Sequence, residues 1–179
     1  MKHFFLLFVL TIFSGIVIAQ NKIEFKGNVD VKGKSKEDIK KELCNWFDGY
    51  RTFKDLLNNK VDTITGKGHF PFITDADLQG ADKAGKEAIE KVNGMFTYTI
   101  TLVFRNGGYS YIFTDFTHYP SDSKSDMDFG IITDDLQLPS NVKCTSDGEW
   151  CESIWKEMHR QIKAKAPLLI GTLPHYASK

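Results

Sequence analysis

The sequence predicts an α+β fold, an antiparallel sheet of about four to five strands with two amphipathic helices on one face. Two stretches alternate strictly across an Asn-Gly turn, Met95 to Arg105 and Gly108 to His118, which is the signature of a β-hairpin. Two others carry apolar residues three or four apart, one after Gly33 and one from Trp150, which is the period of a helix face.

The elements follow in order. In Ile23 to Val31 the apolar residues Ile23, Phe25, Val29 and Val31 all fall on odd positions, so this is a half-buried strand. Ile39, Leu43, Trp46, Phe47, Tyr50, Phe53 and Leu57 then predict a helix with a break near Gly49. Ser35 is placed to cap it by accepting a bond from a first-turn amide. A second strand is expected over Val61 to Phe72, with Ile64, Phe70 and Phe72 sharing a face with Gly66 and Gly68. The charged segment 74–94 reads as an insertion holding a surface helix, since Ala81, Ala84, Ala88, Ile89 and Val92 recur at helical spacing.

An Asn106-Gly107 turn of type I′ would pair Phe104 with Tyr109, Leu102 with Tyr111 and Ile100 with Phe113. One face of the hairpin is then Phe96, Tyr98, Ile100, Leu102, Phe104, Tyr109, Tyr111 and Phe113, too apolar to be anything but the side under the helices. Opposite it lie Thr97, Thr99, Thr101, Val103, Ser110, Ile112, Thr114 and Phe116. That uncharged, mixed face is expected to be open and is the candidate recognition surface, with Ile112 and Phe116 as its apolar anchors. A polar loop from Pro120 to Asp128 leads to a short last strand at Phe129 to Ile132. The final helix carries Trp150, Ile154, Met158 and Ile162 and is expected to stop before Pro167.

Composition and leader bound the function. Lys2 precedes an apolar run from Phe4 to Ile18, and Val17 and Ala19 suit a signal peptidase, so export with a cut before Gln20 is expected. The run is shorter than the ~20 residues of a bilayer crossing, so no membrane span is expected after cleavage. Gln20 rather than a cysteine stands directly after the cut, which argues against a lipoprotein and for a periplasmic or extracellular single domain over 20–179. Charges balance at 23 basic and 23 acidic residues, giving no field to attract nucleic acid. Of the three cysteines, Cys144 and Cys151 are the natural disulfide pair in an oxidising compartment, leaving Cys44 reduced and buried.

No catalytic set emerges. The acids Asp122, Asp126, Asp128, Asp134 and Asp135 supply oxygens, but Phe129 stands where a calcium loop needs its glycine after Asp128, and a solvated turn is the expectation. His69, His118, His159 and His175 are scattered, so neither a metal site nor a cofactor is expected. Only His118, near Asp115 and Asp122, gives acid-base chemistry a foothold, as a hydrolase alternative to a non-enzymatic protein- or ligand-binding module; a strand-end histidine in solvent is the plainer reading. The partner expected for such a module is another envelope protein or peptide.

Trp46, the run Ile64-Thr65-Gly66-Lys67-Gly68, and the hairpin around Arg105-Asn106-Gly107-Gly108-Tyr109 ending near Asp115 resemble an exported bacterial family, domain of unknown function 4468. The resemblance spans most of Ser35 to His118 and implies a TATA-binding-protein-like fold. It implies no catalytic residue. The segment 74–94 and the loop from Cys144 to Cys151 depart from its pattern.

Overall fold

A computed structural model of the chain describes residues 21–49, 53–59, 61–74 and 83–177, with the backbone alone for 53–59 and 83–86. The expected leader therefore lies outside the described residues. The elements run β1 (Phe25–Asp30), α1 (Lys36–Gly49), β2 (Phe53–Asn59), β3 (Thr63–Phe72), α2 (Lys83–Val92), β4 (Gly94–Arg105), β5 (Gly108–Pro120), β6 (Gly130–Ile131), α3 (Gly148–Ile170) and α4 (Leu173–Ala177). The sheet is antiparallel throughout, in the order β1-β5-β4-β3-β2, with β6 also paired to β5 beyond the end of β1.

The long strands are dictated by alternation. Along β3 and β4 every second residue is buried, from Ile64 to Phe72 and from Gly94 to Phe104. Their apolar side chains form one core with Ile39, Leu43 and Trp46 of α1, Ile154, Trp155, Met158 and Ile162 of α3, and Leu173 and Ala177 of α4. α2 adds Ala88 and Val92. All four helices thus bury their apolar stripes against one side of the sheet, and the predicted α+β architecture stands. In β1 the absence of a Cβ on Gly27 gives room to the ring of Tyr111, whose hydroxyl lies 2.5 Å from where that Cβ would be, so a larger residue would make the tyrosine shift.

The hairpin pairs as predicted, Phe104 with Tyr109, Leu102 with Tyr111 and Ile100 with Phe113. Its turn differs. Gly107 has φ 74°, whereas Asn106 keeps a negative φ, the sign pattern of a type II rather than a type I′ turn. Tertiary contacts explain the choice. Asn106 Oδ1 accepts the Lys36 amide at the start of α1 (3.0 Å), Gly107 N donates to Lys34 O (3.1 Å), and Val31 N donates to Gly107 O (2.8 Å). Ser35 caps the same helix, its hydroxyl accepting from Asp38 N (3.2 Å) and donating to the Asp38 carboxylate (2.7 Å), which lowers the pKa of that carboxyl.

Three element boundaries depart from the sequence reading. α1 ends at Gly49, and Phe53 and Leu57 belong to β2. That strand pairs with β3 through two register shifts, Phe53/Asp55 and Leu56/Asn58, opposite Gly68 and Gly66. Each bulge inserts a residue, so the strand loses its period of two and its apolar spacing imitates a helix. α3 runs through Pro167 to Ile170. Pro167 lies on the exposed face one turn beyond exposed Lys163, so the carbonyl deprived of its donor is on the water side. The tail, without a sequence assignment, forms α4 against α1, and Trp46 Nε1 donates to Thr172 Oγ1 at its start (2.9 Å).

Candidate functional site

The face of the sheet away from the helices is built in rows by the strand register. One row runs Thr63, Val103, Ser110, Asn28; the next runs Thr65, Thr101, Ile112, Lys26. Below them come Lys67, Thr99 and Thr114, then His69, Thr97, Thr117 and Ile131. Thr65 and Thr101 share a hydroxyl hydrogen bond of 3.2 Å across β3 and β4. Val103 and Ile112, diagonal neighbours on adjacent strands, are 41% and 38% exposed and form one apolar spot. Two ion pairs on this side, Lys26 with Glu24 (3.0 Å) and Arg105 with Asp30 (2.6 Å), lie towards the β1 edge, while Lys67 stands on β3.

Phe116 is not on this face. β4 and β5 pair Thr99 with Thr114 but Thr97 with Thr117, so β5 carries an extra residue at Asp115, whose φ is 57°. The bulge reverses the alternation. Phe116 is 1% exposed on the helix side, packed against Phe25, Phe70 and Tyr98. Seven of the eight proposed face residues remain together, and the eighth is core.

On the outer side the same bulge opens a pocket of about 250 Å³, lined by Lys67, Thr97, Thr99, Asp115, Thr117, Tyr119 and Ile131. The Asp115 carboxylate is held by Lys22 Nζ at 2.5 Å, and Thr117 Oγ1 donates to Asp115 O at 3.1 Å. Periodicity alone gives no sign of this pocket, because it arises where the period breaks.

His118, expected at a solvent-exposed strand end, follows Phe116 into the core and is fully buried. Its Nε2 lies 2.8 Å from Val92 O, and the rings of Phe72, Phe96 and Phe129 surround it edge-on. Desolvation lowers its pKa, against the opposing pull of the Val92 carbonyl and of Asp128. A histidine so enclosed has no route to a substrate, and the hydrolase alternative is not carried further. The acids do not converge either. Asp122, Asp128 and Asp135 each accept a backbone amide two residues on, while Asp126 pairs with Lys91 and Asp134 with Lys163, both at 3.3 Å. Among the described residues no three His, Cys, Asp or Glu side chains group as metal ligands would.

Cys144 and Cys151 form the predicted disulfide, with Cα atoms 6.2 Å apart. Cys44 is free and half-buried rather than fully buried, and desolvation raises its thiol pKa. Sequence reasoning missed a polar cluster on the buried side of α3. Glu157 grips Arg160 with both oxygens (2.6 and 2.7 Å) and accepts from Gln161 (2.7 Å). Gln161 also donates to Ile73 O and Lys165 to Pro71 O, so the cluster clamps the chain just beyond and within the end of β3. Burial alone would raise the Glu157 carboxyl, but Arg160 and Gln161 outweigh it and hold its pKa low. The spacing Glu157, Gln161, Lys165 at i, i+4 was the available signal.

The chain superposes on a solved TBP-like protein from Parabacteroides distasonis, with a TM-score of 0.51 over 88% of this chain and 94% of that one, at 14% identity. The fold is TATA-binding-protein-like. A DUF4468 family protein from Bacteroides ovatus aligns over 85% of each chain at 12% identity, with a TM-score of 0.48. No family model and no curated protein matches the sequence. At such identities the TBP-like likeness speaks for architecture alone, and function rests on the site. In this TBP-like chain no described helix is long and apolar enough to cross a membrane.

Proposed function

We propose that the chain is exported, trimmed after Ala19, and acts in the cell envelope as a non-enzymatic module that binds another protein through the outer face of its sheet. The observation that carries this reading is the Val103 and Ile112 pair, two exposed apolar side chains on adjacent strands. Around them the hydroxyls of Thr101, Ser110 and Thr114, with Thr97 and Thr99 beyond, give a polar surround, the composition of a small anchored contact. Export is supported by the apolar run from Phe4 to Ile18 behind Lys2, and by a disulfide of the kind that persists in oxidising compartments.

Two measurements test it. The intact mass of protein recovered from the envelope should correspond to a chain starting at Gln20; retention of residues 1–19 overturns the export reading. Val103→Ser with Ile112→Ser should cost about 0.5 kcal/mol or less per site, since both are surface positions. The folded double variant should lose whatever envelope protein the wild type retains as bait. Equal retention removes this face from consideration.

A further inference from the structure

The pocket at the Asp115 bulge has a chemistry distinct from the Val103 and Ile112 spot at the other end of the face. We propose that it binds one hexose-sized saccharide unit. Its volume of about 250 Å³ lies below the range of about 300–1,000 Å³ typical of drug-sized ligand sites, which suits a single ring.

The lining is amphoteric. The Lys67 ammonium only donates hydrogen bonds, the Asp115 carboxylate only accepts them, and the hydroxyls of Thr97 and Thr99 do both. A cationic ligand would face both Lys67 and Lys22, and an anionic one would meet Asp115, whose charge Lys22 partly offsets. Vicinal hydroxyls, which donate and accept from adjacent atoms, satisfy both ends. Lys67 lines the pocket and makes no ion pair with any described residue. Tyr119, 54% exposed, and Ile131, 51% exposed, add an apolar wall on the far side. A tyrosine gives a rigid amphipathic platform at low entropic cost, matched to the C–H face of a sugar ring.

Asp115 is also held ready. A non-glycine residue at positive φ is strained, though aspartate tolerates it better than most, and such strain concentrates at binding sites. Lys22 fixes one carboxylate oxygen and leaves the other open to a ligand.

The test is a titration of isotope-labelled protein with D-glucose, D-galactose and N-acetyl-D-glucosamine, following the backbone amides of Thr97, Thr99 and Thr117, with sodium benzoate as a non-sugar control. At least one sugar should give saturable shifts. Asp115→Gly, which keeps the positive φ and removes the carboxylate, should weaken binding about tenfold, as should Lys67→Gln. The Val103→Ser, Ile112→Ser variant should bind the sugar unchanged, so this proposal and protein capture stand or fall separately. Absence of saturable shifts with all three sugars overturns the proposal. So does binding of benzoate in their place, or sugar shifts that both single variants leave intact.

Discussion

The ring of Phe116 stands edge-on to that of Phe25, with 5.8 Å between centroids and 85° between planes, and this contact locks β1 to the far half of β5. Phe70 and Tyr98 close the cage from β3 and β4. Truncating so buried an aromatic removes its transfer energy and leaves a cavity, so Phe116→Ala should cost about 3–5 kcal/mol in urea unfolding. A change below about 0.5 kcal/mol, as for a surface site, would place the ring outside the core. Asp115→Gly should be neutral to mildly stabilising, because glycine relieves the positive φ but loosens the unfolded chain.

The residues legible in the sequence were those whose period runs unbroken. From Phe104 and Tyr109 at the turn to Ile100 and Phe113, alternation alone gives the correct register and face. It fails beyond Thr114, because one inserted residue inverts every later side chain, carrying Phe116 and His118 inward. The same failure hid β2, where two bulges made a strand read as the continuation of α1. Nothing local announces a bulge at aspartate, whereas glycine would have marked one. The candidate pocket was illegible for that reason, while Val103 and Ile112, ahead of the break, were found.

Two side chains from different parts of the chain cap α1. Ser35 serves Asp38 N, and Asn106 reaches from the hairpin turn to Lys36 N. Each alanine substitution should cost about 1 kcal/mol by leaving a first-turn amide without its protein acceptor. Asn106→Ala should in addition free the turn from the helix, raising amide exchange at Gly107, whose N–H now bonds Lys34 O. An Asn106→Ala variant with unaltered stability and exchange would show the contact to be incidental.

The disulfide closes a loop of sequence separation 7 that ends in the first turn of α3, where Asp147 caps the helix by accepting from Glu149 N. In the chain-entropy picture a loop this short contributes about 2.4 kcal/mol. Replacing Cys144 and Cys151 together by serine should lower stability by about that amount, with the loss concentrated at the start of α3. Denatured, unreduced protein should label at Cys44 alone. Labelling at three cysteines would refute the bridge in the purified protein.

Acid should destabilise the fold in two separate steps, and His118 sets the first. Three aromatic rings pack against it, Phe72 from β3, Phe96 from β4 and Phe129 before β6; the Val92 carbonyl occupies Nε2, and Asp128 is the charged group that acts on it. Burial lowers its pKa below the ordinary 6.5, so the folded ring stays neutral while the unfolded chain takes up a proton. Protons bound then number more in the unfolded state, and stability falls as pH drops through 6.5 towards the folded value, by at most ~1.4 kcal/mol per pH unit. Glu157 acts lower down. Its carboxyl is held below the ordinary 4.5, so its stabilisation is present above that value and is lost as pH falls through the folded pKa. His118→Phe keeps the aromatic packing but gives up the bond to Val92, and should therefore be less stable than wild type at about pH 7.5. The gap should close as pH falls towards about 5.5, since only the wild type carries the histidine penalty, while Glu157→Gln should leave that interval unchanged. Parallel stability curves for wild type and His118→Phe across it would mean that the buried imidazole does not resist protonation.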